Sequence, residues 1–461
     1  MMFLDKHFYP RLAKDVQALH RTPREGVLVF PLKSQKVLGL GHYGLQFVNH
    51  TASRILSLCT GRNSTDEIVR AIYPAESIEI GRKQVRSFLI KAKKSKFIKF
   101  HRNGAEAATA RFTGSFDYYI PYHISVELTA RCNLRCLYCY NEFQGVTDSL
   151  SFEQLKSILL EWNRLGLMSL ELTGGEPILS PHFWDVLDFC CGTFQRIGLL
   201  TNGTLIDTAA AQRMAQYKDK LVISVSLDGS SAEYHDTHRG PGSFDKVVCG
   251  IRALVREGVR LRVGMCVTPR NIQDLDSTAN FVRSLGVKIF SYAPAIAYGR
   301  GKQEAWTWEP SRAKEIQELE SSVIEQNRDI IPILPAEELK RAEKDFGSCG
   351  IGTKNVALTP SGKIKACLFL AEEEHVGDLS EESLEDVFRK PIFKAFAELR
   401  NPSPERCGGC RYVPFCKGCS VRALTIVERE HQLCRWAVSC GVQNLFRKFS
   451  KYENDGIGRI F

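Results

Sequence analysis

Three cysteines, Cys132, Cys136 and Cys139, stand in one short run with three and then two residues between them, directly behind a strand-like stretch. Three thiolates in one tight loop suit three corners of a 4Fe-4S cube and leave its fourth iron without a protein ligand. An open iron is where a small molecule binds and receives an electron, so the loop argues for chemistry rather than architecture. Zinc prefers four ligands, usually as two separated pairs, and this loop supplies three.

A second motif, Thr173-Gly174-Gly175-Glu176-Pro177, follows about 35 residues later, after the short strand-like stretch 168–172. Paired glycines at a strand end expose backbone amides and carbonyls to a ligand, because no Cβ blocks the approach. Alone, this motif reads as a turn. With a helical segment over 151–164 between it and the cysteine loop, it fits one βα step of a barrel.

Together the two motifs resemble the radical S-adenosylmethionine (SAM) enzymes. That resemblance implies that the open iron holds the amino and carboxylate groups of SAM, and that Gly174, Gly175, Glu176 and Pro177 grip its amino group. It implies a 5′-deoxyadenosyl radical that abstracts hydrogen from a substrate carbon. Tyr138, just before Cys139, takes the position that shelters adenine. Other strand ends carry Asn202, Ser226 and Asp228, which offer amide, hydroxyl and carboxylate groups to a ribose or to the amino acid end of SAM. Arg239 brings a bidentate fork suited to the SAM carboxylate. Ordinary capping of βα loops by Asn, Ser and Asp is the alternative at these positions. No catalytic acid, base or hydrogen donor is assigned; Cys266, on a strand face with Gly264 and Thr268, reads as a packed thiol before it reads as a donor.

At 461 residues the chain suggests two or three domains. Hydrophobic content of 44% and charged content of 25% are those of an ordinary globular protein. No stretch approaches the roughly 18 apolar residues of a membrane span, and residues 1–7 lack the apolar core of a secretory signal. The expectation is a cytoplasmic protein with no membrane partner. Sixteen cysteines in such a compartment point to metal or redox use rather than disulfides.

The chain divides into three expected parts. Residues 1–110 begin with strand-like runs over 27–32, 36–40 and 45–49. Helical segments follow over 51–59, from the capping box Ser64-Thr65-Asp66-Glu67, and over 82–94. A small sheet followed by three helices is a winged-helix-like pattern. The runs 49–56 and 61–69 resemble the peptide-carrier domain of pyrroloquinoline-quinone biosynthesis, also called the RiPP recognition element. Such domains bind the leader of a precursor peptide as an added strand. Lys91, Lys93, Lys94, Lys96 and Lys99 form a solvated helix face or a basic patch for an acidic partner.

Residues 111–335 alternate strands and helices. Strand-like runs at 123–128, 169–173, 196–201, 222–227, 261–268 and 288–293 match the α/β, partial (β/α)6 TIM-like barrel of the radical SAM family. Residues 336–461 hold Cys349, Cys367, Cys407, Cys410, Cys416, Cys419, Cys434 and Cys440. This cysteine-rich part resembles the SPASM extension, which binds two auxiliary iron–sulfur clusters, of the 4Fe-4S kind. Family order assigns Cys349, Cys367 and Cys419 to one cluster, and Cys407, Cys410, Cys416 and Cys434 to the other. Two departures stand out: only two residues separate Cys416 from Cys419 where the family usually has three, and the first set lacks a fourth cysteine. Cys440 fills that vacancy or the site stays open. A zinc knuckle over 407–419 is the alternative.

The whole pattern implies a maturase of a ribosomally made peptide that performs oxidative crosslinking (C–S or C–C) or dehydrogenation, served by an electron donor such as flavodoxin or ferredoxin. Rival readings are a radical SAM oxidase of a tetrapyrrole or sugar, a sulfatase-type protein maturase, and a DNA-binding iron–sulfur redox regulator. The glycine motif and the open cluster loop count against the regulator, and a nucleic-acid partner is disfavoured.

Overall fold

The computed structural model describes residues 8–13, 16–20, 25–31, 43–102, 104, 112–140, 147–302, 312–330 and 348–452. The chain divides into two compact units, 1–122 with 161–167, and 123–160 with 168–461.

In the first unit, strands β1 (Tyr9–Leu12), β2 (Gln17–His20), β3 (Glu25–Pro31) and β4 (Tyr43–Asn49) precede helices α1 (His50–Leu58), α2 (Thr65–Ile72) and α3 (Ile78–Lys94). Strands β5 (Ile98–His101) and β6 (Phe112–Gly114) follow. β1 pairs with β5, and the other four form a sheet in the order β4-β3-β2-β6, with β4 at its edge. The strands expected over 27–32 and 45–49 are β3 and β4, while the run 36–40 lies outside the described residues.

Local chemistry starts these helices. Asn49 caps α1 by accepting the Ala52 N–H at 2.9 Å. Ser64 and Glu67 close the expected capping box reciprocally, each side chain accepting the other's N–H. The apolar stripe of α3 then buries Val85, Leu89 and Ala92 against Leu12, Ile55, Leu56, Ile68 and Ile98. Each large side chain in that core contributes about 1.5–3 kcal/mol by leaving water. The lysines at the end of α3 are exposed, where positive charge suits the helix C-terminus.

The second unit is built on an open nine-stranded sheet. Six parallel strands stand in sequence order: β7 (His123–Glu127), β8 (Ser169–Thr173), β9 (Arg196–Thr201), β10 (Leu221–Ser226), β11 (Arg260–Val267) and β12 (Phe290–Pro294). They coincide with the six expected strands to within two residues at nearly every end. Burial alternates strictly along β9, β10 and β11. Ile197, Leu199, Ile223, Val225 and Val263 are fully covered on one face, while Ser224, Arg262 and Gly264 lie on the other, half-buried face.

Beyond β7 the sheet continues into the cysteine-rich part. β13 (Val356–Leu358) pairs parallel to β7, and β14 (Lys363–Lys365) and β15 (His375–Asp378) add antiparallel strands. Residues of the expected middle and last parts therefore share one hydrogen-bonded sheet. Among the described residues no helix is long and apolar enough to cross a membrane.

Candidate functional site

The loops that leave the C-terminal ends of β7, β8, β9 and β10 converge, as ligand loops do in parallel α/β folds. The cysteine loop follows β7. Its start is fastened to the glycine motif after β8: Gly175 N donates to Thr129 O and Glu176 N to Arg131 O, both at 2.8 Å. This approach demands glycine. A Cβ on Gly175 would stand 2.2 Å from Arg131 O, and one on Gly174 (φ +128°) would stand 2.6 Å from Thr129 O.

Glu176 is fully buried. It accepts Thr201 Oγ1 at 2.7 Å and the Asn202 N–H at 2.8 Å, binding the glycine motif to the end of β9. Burial raises its carboxyl to about 7 despite those hydrogen bonds. Pro177 is buried at the first position of a short 3-10 turn. Asn202 donates to Asn133 Oδ1 at 2.9 Å, and Asn133 donates to Thr204 at 2.8 Å, so the cysteine loop is also stitched to the β9 loop.

On the other side of the loop, Tyr138, Asp228 and Arg239 form one buried network. Asp228 accepts Arg239 Nε at 2.5 Å, the Tyr138 hydroxyl, and the Cys266 N–H at 2.8 Å. The Arg239 guanidinium lies 5.6 Å from the Tyr138 ring centre, and its Nη1 stands 3.9 Å from Cys136 Sγ. Despite complete burial, Asp228 is held below the usual carboxylate range by Arg239 and His235. The fork expected for a SAM carboxylate is thus engaged at Nε by Asp228, and Tyr138 is held by the same carboxylate. Ser226, at the end of β10, is half-buried.

The Cys266 thiol is buried among Tyr138, Asp228 and Cys136 and raised well above its ordinary value by that burial, as a packed thiol is.

The thiols gather in three sets. Burial raises Cys132, and Cys136 to about 11, and Cys139 raises both further by proximity. Burial raises Cys367, with Cys349 and Cys419 adding to the rise. Burial likewise raises Cys416, with Cys434, Cys410, Cys407 and, last, Cys419 adding to the rise. Cys407, Cys410, Cys416 and Cys434 line one cavity, together with Trp436 and Pro402. Cys419 adjoins Cys349 and Cys367 and also acts on Cys416, across the two residues between them; Cys416 closes a short helix and Cys419 caps the next one, Ser420–Glu430.

Cys440 adjoins Cys407, with its Sγ 3.8 Å from Arg400 O, so it stands beside the second set rather than the first. Near Cys349 the polar neighbour is Ser420 Oγ, at 3.9 Å.

A cubane spreads its thiolates around a volume, whereas zinc draws four to one point. Among the described residues no three His, Cys, Asp or Glu side chains converge on a point suited to a single ion.

Three polar residues of this region escaped the sequence reading. Glu127 and Lys365 are buried together with half-buried Tyr140 beside them: Lys365 Nζ is 3.0 Å from Glu127 Oε2, and the Tyr140 hydroxyl donates to Glu127 Oε1 at 3.4 Å. No pattern singles them out: β7 reads His-Ile-Ser-Val-Glu and β14 Lys-Ile-Lys, so a charged residue at the end of either strand looks ordinary in sequence.

Residues 126–282 match the radical SAM superfamily, and residues 349–411 match the SPASM iron–sulfur cluster-binding domain. The antilisterial bacteriocin subtilosin biosynthesis protein AlbA of Bacillus subtilis is 30% identical over 446 residues, spanning 95% of this chain and 97% of the relative. The mycofactocin maturase MftC of Mycobacterium tuberculosis is 29% identical over 311 residues, spanning 65% of this chain and 78% of the relative. Among solved structures, SuiB of Streptococcus suis bound to its precursor peptide SuiA shares the fold. That match has a TM-score of 0.61 over 90% of this chain and 97% of that one, at 15% identity. With its cysteine loop, glycine motif and two further thiol sets, the chain belongs to the radical SAM superfamily, as an enzyme that uses SAM, a 4Fe-4S cluster and the auxiliary clusters of a SPASM domain.

Proposed function

We propose that this enzyme matures a ribosomally synthesised precursor peptide by oxidation, forming a crosslink or a dehydrogenated residue. The observation that carries this reading is the two further thiol groupings, one of them flanking the strands β13 and β14 that extend the sheet of the cysteine loop. An oxidation leaves an electron to be accepted, and two auxiliary centres provide for that. The relative that spans nearly the whole chain is a bacteriocin biosynthesis protein, which supports a peptide as substrate.

When bound, the cofactors supply one-electron cleavage of SAM, a radical that removes hydrogen from a substrate carbon, and an acceptor for the surplus electron. The chain's own residues do the rest. Cys132, Cys136 and Cys139 hold the first cluster, and Gly174 and Gly175 leave backbone groups open beside it. Tyr138, Asp228 and Arg239 wall the cleft and place a fixed cation next to Cys136. Asn202 and Ser226 stand at the strand ends where the nucleoside of SAM would lie. Cys349, Cys367 and Cys419 hold one auxiliary cluster; Cys407, Cys410, Cys416 and Cys434 hold the other.

In this reading residues 1–110 handle the peptide leader, residues 111–335 generate the radical, and residues 336–461 handle electrons. The edge strand β4 offers backbone groups to an added strand, and the lysines of α3 give the same unit a basic face. A flavodoxin- or ferredoxin-like donor supplies the reducing electron.

The test is anaerobic coexpression with the short peptide encoded beside the gene, followed by its accurate mass. Loss of two hydrogen atoms, abolished by Cys136→Ala, is the expected result. A peptide that binds and stays unchanged in mass while SAM is cleaved would overturn the oxidative reading. A peptide that neither binds nor changes would overturn that substrate.

A further inference from the structure

A buried ion pair is a poor way to stabilise a protein, because desolvating both charges offsets most of their attraction. The pair Lys365–Glu127 is nonetheless complete: each side chain is 1% exposed, and Nζ lies 3.0 Å from Oε2. Its placement suggests what it does. Lys365 ends β14, two residues before Cys367, and its ammonium also donates to Leu368 O at 3.1 Å, the carbonyl directly after that cysteine. Glu127 ends β7, and its other oxygen accepts the hydroxyl of Tyr140, the residue directly after Cys139. Tyr140 is fixed in turn against Phe369, edge to face at 5.2 Å. The cation of the pair therefore adjoins one thiol set, and the anion adjoins the other.

The register explains the reach. Ala357 of β13 pairs with Ser125 of β7 and with Lys365 of β14, so Lys365 spans one intervening strand to meet Glu127. In so dry a place charges act strongly on their surroundings.

Local charge, hydrogen bonding and exclusion of water set the potential of an iron–sulfur centre. We propose that the Lys365–Glu127 pair biases the two redox sites in opposite senses. Its ammonium end favours reduction of the centre held by Cys349, Cys367 and Cys419, and its carboxylate end disfavours reduction of the centre held by Cys132, Cys136 and Cys139. The bias makes the first site a stronger reductant and the second a better electron acceptor. The inference rests on the cysteine assignment proposed above, and both residues act as positioning residues for charge rather than as groups that touch substrate.

The experiment is a redox titration of the reconstituted enzyme, read by electron paramagnetic resonance, in the wild type and in the double variant Glu127→Gln with Lys365→Met. Removing both partners avoids leaving one charge buried alone. The first-site midpoint should rise, the auxiliary midpoint should fall, and the interval between them should narrow. Lys365→Arg, which keeps the charge, should restore both. Midpoints that stay put, or that move in the same direction, would overturn the proposal. Should the double variant lose iron, Glu127→Gln with Lys365→Gln keeps a hydrogen bond between the positions and makes the same test. Iron content of Cys139→Ala and Cys367→Ala checks the assignment separately. Full iron in either variant would overturn the assignment and the bias with it, whereas lost iron with unmoved midpoints in the double variant would overturn the bias alone.

Discussion

The first thiol set and the one formed by Cys349, Cys367 and Cys419 solve the same problem in opposite ways. Cys132, Cys136 and Cys139 come from one loop after one strand, so their proximity is nearly a property of the local sequence. Cys349, Cys367 and Cys419 come from three places joined by the sheet extension and by the start of a helix at Ser420. A set built within a loop is robust to distant change. A set built by the fold depends on every strand pairing that brings it together.

The largest effect should come from the local set. Cys136→Ala should leave no measurable 5′-deoxyadenosine and remove about four irons per chain, read by chromatography and iron analysis. Retained cleavage would break the comparison at its simpler end.

Next, Cys419→Ala should remove the same spectroscopic signal as Cys367→Ala, and Cys416→Ala should remove a different one. SAM cleavage should survive in all three while peptide product is lost. Matching signals for Cys416→Ala and Cys419→Ala would mean that the short run they share, and not the fold, decides the sets.

A pH series sharpens the comparison from the side of the cleft. His235 Nδ1 accepts the Asp228 N–H at 3.1 Å, so the ring must be neutral there, and burial holds its pKa down to about 4. The unfolded chain binds the extra proton first, near pH 6.5. The stability from this site is therefore complete above about pH 6.5 and is lost as pH falls through 4, by about 3 kcal/mol. Denaturant midpoints between pH 7 and 4 measure it, and His235→Gln should flatten the slope.

Gly175→Ala should cost about 1–3 kcal/mol through its clash with Arg131 O, and should weaken SAM binding in equilibrium dialysis. The smallest effect belongs to Cys440→Ala. Because Cys440 does not line the cavity of the second set, both auxiliary signals should persist.

Much of this was legible in the sequence because it is local. The cysteine spacing, the glycine motif, the Ser64–Glu67 capping box and the six barrel strands each depend on residues within a few positions of one another. The engagement of Arg239 by Asp228 was not legible, since it depends on how the helix Ala232–Arg239 folds back onto the end of β10. Lys365–Glu127 was hidden for the same reason, being separated by hundreds of residues in sequence and by one strand in space. The position of Cys440 could not be read from spacing either, because nearness in sequence to Cys434 says nothing of which set it approaches.

The pairing of β13 with β7 has a consequence for how the molecule is made. A ribosome completes the first thiol loop once it has passed Cys139, but β7 must wait for residue 356 before its outer edge is covered, and the set containing Cys349 must wait for Cys419. On the proposed assignment, a chain released after the sixth parallel strand carries the residues that start a radical and none of the auxiliary ligands. The half that would turn a radical into a finished product is synthesised last, after the edge of β7 on which it is built.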